Sequence, residues 1–517
     1  MFQNSTRYNS TLASYFSAKS LISGDYKKVI PNIRKIQELG WQLTILKNWQ
    51  ALHTQLKNLS FLKLVALYFK YDVHNYWSNL EQNSSLSLAE TYKSIIENPS
   101  TDLTAAHIVD NLLGHHGHIE RAIDLRRELV EHYQRTQDDR NLANALLNLG
   151  SAYEEINESQ RALTAYNRAI QLAEKIGNIH VLLNGLNHSL TLLIDKGDLD
   201  LALAYSEHAL RISRSTRDLE MRATLLLNQG IAFYLKGNKE SARKNFIESR
   251  TIYNNLEEYD GYQKATGELG ILEMEFDTLK AMNYLKEQEK ICRKFNILKS
   301  LAICIGNQAS VESLNDNPGE AIKLWQEQTE ISHKISYYSG VCSSIIAIAE
   351  VHFRRAFFKE AEELVDHVIA LGREADVKEP LDKALVFKGH FLAYRGKIDH
   401  AKDLYNEAVK RNMEYSLPYK VAQLCCLVGD YLVFFVLKYQ ADGLSGNEWT
   451  LFRNTQPISQ LNDYPGLAIG FYQKAIDISP SHSHAYEMMG IAYELSNNID
   501  KAIDSYNKAR NLENKQN

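Results

Sequence analysis

The sequence predicts an all-α chain, an α-α superhelix of about ten helical hairpins behind an N-terminal helical domain. Three observations predict it. An alanine recurs at Ala122, Ala162, Ala202, Ala242, Ala281, Ala321, Ala361 and Ala401, a steady step of about 40 residues. In the best-formed unit, Asn141–Asn178, apolar residues return at helical spacing. Leu146, Leu149, Gly150 and Tyr153 stripe one stretch, Ala162, Tyr166 and Ala169 the next, with a turn near Asn157 between them. Small residues stand where two helices must approach; large ones stand where the gap must be filled. Finally, the chain holds only 8 Pro in 517 residues, most of them between the expected helices.

The totals bound the function. The chain has 58 Lys+Arg against 63 Asp+Glu, a net charge of −5. That near-neutral balance implies neither nucleic acid nor an anionic membrane as bulk partner. A hydrophobic content of 44% is ample for burial, and in a repeat array each unit buries its apolar face against its neighbours only. The cysteines are Cys292, Cys304, Cys342, Cys425 and Cys426. Their number is odd, their spacing irregular, and no C-x-x-C occurs, which supports neither a disulfide framework nor a zinc site. They read as buried thiols of a reducing, cytoplasmic compartment. The opening MFQNSTRYNS lacks a signal-peptide apolar core, and no apolar run reaches the length of a membrane span.

Residues 1–100 fall outside the repeat and read as helices anchored by Trp41, Trp49, Phe61, Leu64, Leu67, Tyr68, Tyr76 and Trp77. Up to Lys70 there are ten basic residues and two acidic ones, an excess of eight that the total hides. Such a segment suits an acidic partner or nucleic acid, or simply a solvated helical cap. Residues 103–140 form a degenerate first repeat. His115, His116 and His118 beside Gly117 lack the convergent ligands a metal needs, so they read as exposed turn residues.

Repeats two to eight run from about 141 to 417, completing a repeat region at 101–417. With Gly150 as the eighth position of a unit that begins at Ala143, the sixth position holds Asn148, His188, Asn228, Glu268 and Asn307. An amide both donates and accepts, so it can pair with an extended peptide backbone. The alternative, that these amides only bridge neighbouring helices, stays open. The ninth, twelfth and thirteenth positions carry Glu154, Tyr234, Glu350, Arg354, His390 and Tyr394, acidic early and aromatic late. The candidate partner-binding set is therefore Asn148, Glu154, Asn228, Tyr234, Asn307, Arg354, His390 and Tyr394, with a protein or peptide as ligand.

Residues 418–517 carry two more repeats. In the first, the alanine is delayed to Ala468 by an insertion at about 439–464. The insertion contains helix breakers and two costly aromatics, Trp449 and Phe452, which make it either a functional protrusion or local packing. The last repeat places its alanine at Ala502, about 34 residues after Ala468, and Pro480 closes the repeat before it.

The small–large pattern around Gly150, Tyr153, Ala162 and Tyr166, and the shorter step from Ala468 to Ala502, resemble tetratricopeptide repeats. The longer step of the earlier units resembles kinesin-light-chain and bacterial peptide-receptor repeats, and implies that first helices line a concave face. A second resemblance covers the N-terminal part of the chain, up to Glu81. The runs LASYFSAK (Leu12–Lys19), IRKIQELGWQLTILKNWQALHTQLKNLSFL (Ile33–Leu62) and YDVHNYWSNLE (Tyr71–Glu81) are similar to a helical segment of nephrocystin-type, NACHT and NB-ARC proteins. In those STAND NTPases it precedes the repeats. This implies the sensor part of a STAND-type signalling or antiphage defence system, with an NTPase module as partner. The chain itself has no G-x-x-x-x-G-K-[ST] phosphate loop, nor a nucleophile elbow, an H-E-x-x-H helix or a G-x-G-x-x-G turn. It is therefore expected to be a non-catalytic scaffold without cofactor. A stand-alone adaptor or peptide receptor is the alternative, and nucleic-acid binding through the basic N-terminal helices ranks below both.

Overall fold

The computed structural model describes residues 2–23, 30–355, 357–416, 418–440, 463–480 and 482–516. Among the described residues the regular structure is helical apart from one two-residue antiparallel pair, Ile22–Ser23 with Ile30–Pro31. It divides into two compact units, Met1–Ser189 and Leu190–Asn517.

The first unit opens with α1 (Phe2–Ala18), α2 (Ile33–Ile45), α3 (Trp49–Lys57), α4 (Leu59–Tyr68) and α5 (Lys70–Asn83). Short helices α6 (Leu88–Thr91) and α7 (Lys93–Glu97) lead to two hairpins, α8/α9 (Leu103–His115, Ile119–Arg135) and α10/α11 (Asp139–Glu155, Ser159–Ile176). Helix starts are set by local chemistry. Asn58, Asp102 and Asp138 each cap a helix, accepting from the backbone N–H of Phe61, Ala105 and Asn141. Of the expected N-terminal anchors, Phe61, Tyr76 and Trp77 are buried, but Trp41, Leu67 and Tyr68 are exposed, Leu67 by 72%. The reason is visible on α2. Ile36, Leu39, Gly40 and Leu43 take the inward face, and Gly40 lies so close to the Tyr76 ring that Trp41 is turned to solvent.

Helix α12 (Ile179–Lys196) runs from one unit into the other. The second unit continues with α13 (Leu199–Ser213) and the hairpins α14/α15 (Leu219–Leu235, Lys239–Asn255) and α16/α17 (Tyr259–Glu273, Thr278–Lys294). Then come α18/α19 (Leu298–Leu314, Pro318–Lys334), α20/α21 (Tyr338–Arg354, Phe358–Glu374) and α22/α23 (Glu379–Tyr394, Ile398–Tyr415). The last two are α24/α25 (Pro418–Gln440, Asp463–Ile478) and α26/α27 (Ser483–Leu495, Ile499–Gln516). With α12/α13 the described residues thus hold the ten hairpins that the alanine series predicts. The compact units do not divide at 100 or 417, the boundaries expected from the sequence. Within each unit one hairpin packs on the next, so a change of repeat type leaves no gap in the packing.

The recurring alanines are all buried, from Ala122 to Ala502. Beside each lies one contact between the two helices of the hairpin. A Cβ built on Gly150 would overlap the Tyr166 ring, on Gly389 the Tyr405 ring, and on Gly230 it would stand 2.5 Å from Phe246. Gly429 against Tyr472 and Gly490 against Tyr506 repeat it at 2.5 Å. Where the partner is smaller, the first helix carries more. Ala349 and Val365 share one core, and Leu190 stands where its counterpart is the buried Ser206. In the degenerate first hairpin the pair becomes Asp110 and Arg126, joined at 2.6 Å. The turns close with a left-handed residue, at Gly197 and Gly237, and at Asn157 with φ 60°. In the sixth hairpin that residue is Asp316, and the side chain of the following Asn317 donates to Glu312 at 2.9 Å.

Gly150→Ala is expected to destabilise the chain by about 1–3 kcal/mol, because a close-packed ring must move. Gly319→Ala, where a Cβ meets nothing within 4 Å, should be neutral or stabilise by up to about 1 kcal/mol. Urea denaturation followed by circular dichroism compares them; equal losses would contradict the contact.

Candidate partner-binding surface

In the second unit the first helices of neighbouring hairpins pack directly on one another: α14 on α16, α16 on α18, α18 on α20, α20 on α22 and α22 on α24. They therefore form the inner side of the stack. This side is enclosed further by α24. A Cβ on Gly197 would touch the Pro418 ring at 3.7 Å, although the two lie six hairpins apart along the chain. The neighbouring Tyr419 phenol is pushed up by burial and by the charges of Glu379 and Asp195.

The sequence-derived residues divide according to where this packing puts them. Asn148 and Glu154 lie in the first unit. Asn148 is exposed, and its carbonyl accepts from Arg126 at 2.9 Å. Glu154 accepts from the Tyr166 hydroxyl at 2.7 Å and faces His188 at 3.4 Å. Burial alone would raise its carboxyl, but His188 and Tyr166 together hold it below the usual range. Glu154 is thus tied to the ring of its own hairpin contact.

In the second unit Asn228, Tyr234 and Asn307 are half-buried on the inner side. Tyr234 donates to Glu275 at 2.8 Å, and desolvation, then Glu275, pushes its phenol up. Glu268, at the same repeat position as the asparagines, has its carboxyl pushed up to about 7 by desolvation. Arg354 is exposed by 64% and donates to Glu350 at 2.5 Å. Tyr394 is half-buried, its ring centroid 4.5 Å from Phe358.

His390 departs from expectation. It is wholly buried, so it presents nothing to a partner. Its Nδ1 lies 2.8 Å from the Tyr405 hydroxyl, and its ring stacks on Tyr431 at 4.4 Å, with Phe387 and Phe435 edge-on. The tight stacking of α20, α22 and α24 converts that inward position into core. Desolvation holds its imidazole down at about 3. Trp449 and Phe452 lie outside the described residues.

Of the turn histidines, His115 is exposed as expected, whereas His116 and His118 are partly buried. His118 stands 2.8 Å and His116 3.6 Å from Glu81, and His116 stacks on His74. Among the described residues no group of three His, Cys, Asp or Glu is placed to hold a metal ion. All five cysteines are free and buried. Desolvation pushes Cys292, Cys342 and Cys425 up to about 11 and Cys304 to about 12, so they are poor nucleophiles.

Two features were not anticipated from the sequence. A cavity of about 400 Å³ on the inner side is lined by Arg354, Asp430, Tyr431 and Phe434. Asp430 and Phe434 occupy the ninth and thirteenth positions of their repeat, and the interruption of that repeat hid them. The second is the helix stretch Pro418–Leu437, which is long and apolar enough to cross a membrane, with a mean hydropathy of 1.8. It exceeds what the sequence led us to expect, yet 67% of that window is buried inside the protein, as in a core helix.

Comparison with known proteins agrees on the repeat. Tetratricopeptide-repeat family models match residues 143–176, 184–255 and 483–515, and the chain carries tetratricopeptide repeats there. No curated protein sequence matches. Among solved structures, the chain is similar to apo RapI at 16% identity and a TM-score of 0.45, covering 52% of this chain and 96% of that one. A Rap protein complexed with competence and sporulation factor is similar at 13% identity and 0.42, covering 72% and 98%. Yeast Tom70 is similar at 14% identity and 0.41, covering 92% and 91%.

His390 supplies a pH test. Its folded value, about 3, lies below the unfolded one of about 6.5. Its contribution is therefore complete above about pH 6.5 and is lost as pH falls towards 3, by up to about 1.4 kcal/mol per pH unit. Between pH 7 and 5 His390→Phe should lose stability less steeply than the wild type, whatever its offset at pH 7. Parallel curves would contradict the buried neutral imidazole.

Proposed function

From a chain carrying tetratricopeptide repeats, we propose a non-catalytic protein-interaction scaffold that takes a protein or extended peptide along the inner side of its first helices. One observation carries this reading. Polar and aromatic side chains, Asn228, Tyr234, Asn307, Arg354 and Tyr394, recur on the first helices α14, α18, α20 and α22 and keep part of their surface accessible. A recurring polar line that stays partly accessible is what backbone recognition requires.

A finer reading makes the chain the sensor part of a STAND-type signalling or antiphage defence system, working beside an NTPase module in the cytoplasm. Its support is the similarity of residues 12–81 to the segment preceding the repeats in such proteins, and the free, buried cysteines suit a reducing compartment. The stand-alone adaptor remains the alternative. Nucleic acid ranks lower. Lys35 is taken up by the carbonyls of Ser17 and Lys19 and Lys63 by Asp102, and the exposed side chains beside the basic residues include the aliphatic Ile45 and Leu67.

A peptide selected from a display library on the full chain provides the ligand for the test. Asn228→Ala and Asn307→Ala should each cost about 0.5–1.5 kcal/mol of binding. Together they should weaken it about 5- to 150-fold if the sites act independently, with a smaller effect on melting temperature. Lost stability with unchanged affinity per folded molecule would make these amides structural bridges.

A further inference from the structure

The cavity between α20 and α24 is walled by two aromatic rings, a carboxylate and a guanidinium. Tyr431 and Phe434 stand as two rings 6.2 Å apart and 68° to each other. The Tyr431 hydroxyl is already committed, donating to Glu350 at 3.1 Å. Asp430 accepts from Tyr472 on Oδ1 at 2.9 Å and meets His484 on Oδ2 at 3.0 Å, so each oxygen keeps one lone pair. Arg354 is the opposite case. Among the described residues its hydrogen bonds go to Glu350 and Tyr431, which leaves part of its five-donor fork without an acceptor.

An occupant must therefore bring a flat apolar body and an acceptor for Arg354. Charge decides which acceptor. Glu350 already pairs with the guanidinium and Asp430 shares the cavity wall, so a second anion would meet repulsion, whereas a neutral oxygen would not. A volume of about 400 Å³ lies at the small end of ligand pockets and suits one large side chain with its flanking backbone.

We propose that this cavity receives a tyrosine side chain of the partner. The ring lies against Phe434 and Tyr431; the phenol oxygen accepts from Arg354 and its proton is donated to Asp430. This rests on the scaffold reading and deepens it by naming an anchor residue in the ligand. Tyrosine is well suited to the role, since it buries a large rigid ring while keeping a polar tip.

Ligand-observed NMR on the full chain tests it with four probes: N-acetyl-tyrosinamide, N-acetyl-phenylalaninamide, N-acetyl-phenylalanine as the free acid, and p-cresol. N-acetyl-tyrosinamide should bind at least threefold more tightly than either phenylalanine probe and no more weakly than p-cresol. Arg354→Gln, a change at an exposed side chain, should remove the tyrosine preference while leaving the melting temperature unchanged. Phe434→Ala should weaken both amides together. The proposal is overturned if N-acetyl-tyrosinamide does not bind up to its solubility limit, if the two amides bind alike, or if the free acid binds best. It is equally overturned if p-cresol alone binds, which would mean a free phenol rather than a peptide, or if Arg354→Gln keeps the preference. Any of these results leaves the asparagine test of the scaffold itself standing, so the two failures are distinguishable.

Discussion

Each hairpin depends on one contact, between the eighth residue of its first helix and a residue sixteen positions on in most repeats. Glycine there lets the second helix drive a whole aromatic ring against the first helix's backbone, at Gly150–Tyr166, Gly230–Phe246 and Gly389–Tyr405. The ring fills the space that the missing side chain leaves, and the alanine four residues before that position, ring or not, is buried in every hairpin. What matters is the summed volume, since close-packed interiors tolerate redistribution better than gain or loss. That explains how Leu190 can stand opposite the position of Ser206, and how Ala349 packs in one core with Val365. The first hairpin fills the space with charge instead. Burial pushes the Asp110 carboxyl up even with Arg126 on it, the expected sign for an ion pair taken out of water.

This contact also fixes which residues look inward. Once the eighth position is pinned against the second helix, the sixth, ninth and thirteenth fall on the side where first helices meet one another. In the second unit that side is tight enough for Tyr431 to reach Glu350, two hairpins earlier, and for Pro418 to reach the turn at Gly197. Enclosure has two consequences. It raises the carboxyl of Glu268 and the phenol of Tyr234, and it draws His390 out of solvent altogether.

The hairpins were legible because the alanine spacing and the small–large alternation are local, repeated many times, and insensitive to what lies across the stack. The position of Asn228, Tyr234, Asn307 and Arg354 on the inner side was legible for the same reason: once the register is known, helical geometry assigns the face. What failed depended on contacts the spacing does not contain. His390 sits at a position that is accessible in looser repeats, but Phe387, Tyr431 and Phe435 converge on it from two helices. Trp41 looked like a core anchor from its size, yet Gly40 against Tyr76 decides the face of α2 and sends Trp41 outward. The cavity around Asp430 was hidden because the interrupted ninth repeat broke the count that would have placed Asp430 and Phe434 beside Arg354.

The central claim is that the partner lies along the inner side of the first helices. Photo-cross-linking maps this directly, using the full chain and a selected peptide carrying a benzophenone at successive positions, with the attachment sites located by mass spectrometry. The account predicts attachment within Leu219–Leu235, Tyr259–Glu273, Leu298–Leu314 and Tyr338–Arg354, shifting from one helix to the next as the benzophenone moves along the peptide. Attachment concentrated on the second helices, Lys239–Asn255, Thr278–Lys294 and Pro318–Lys334, would contradict it.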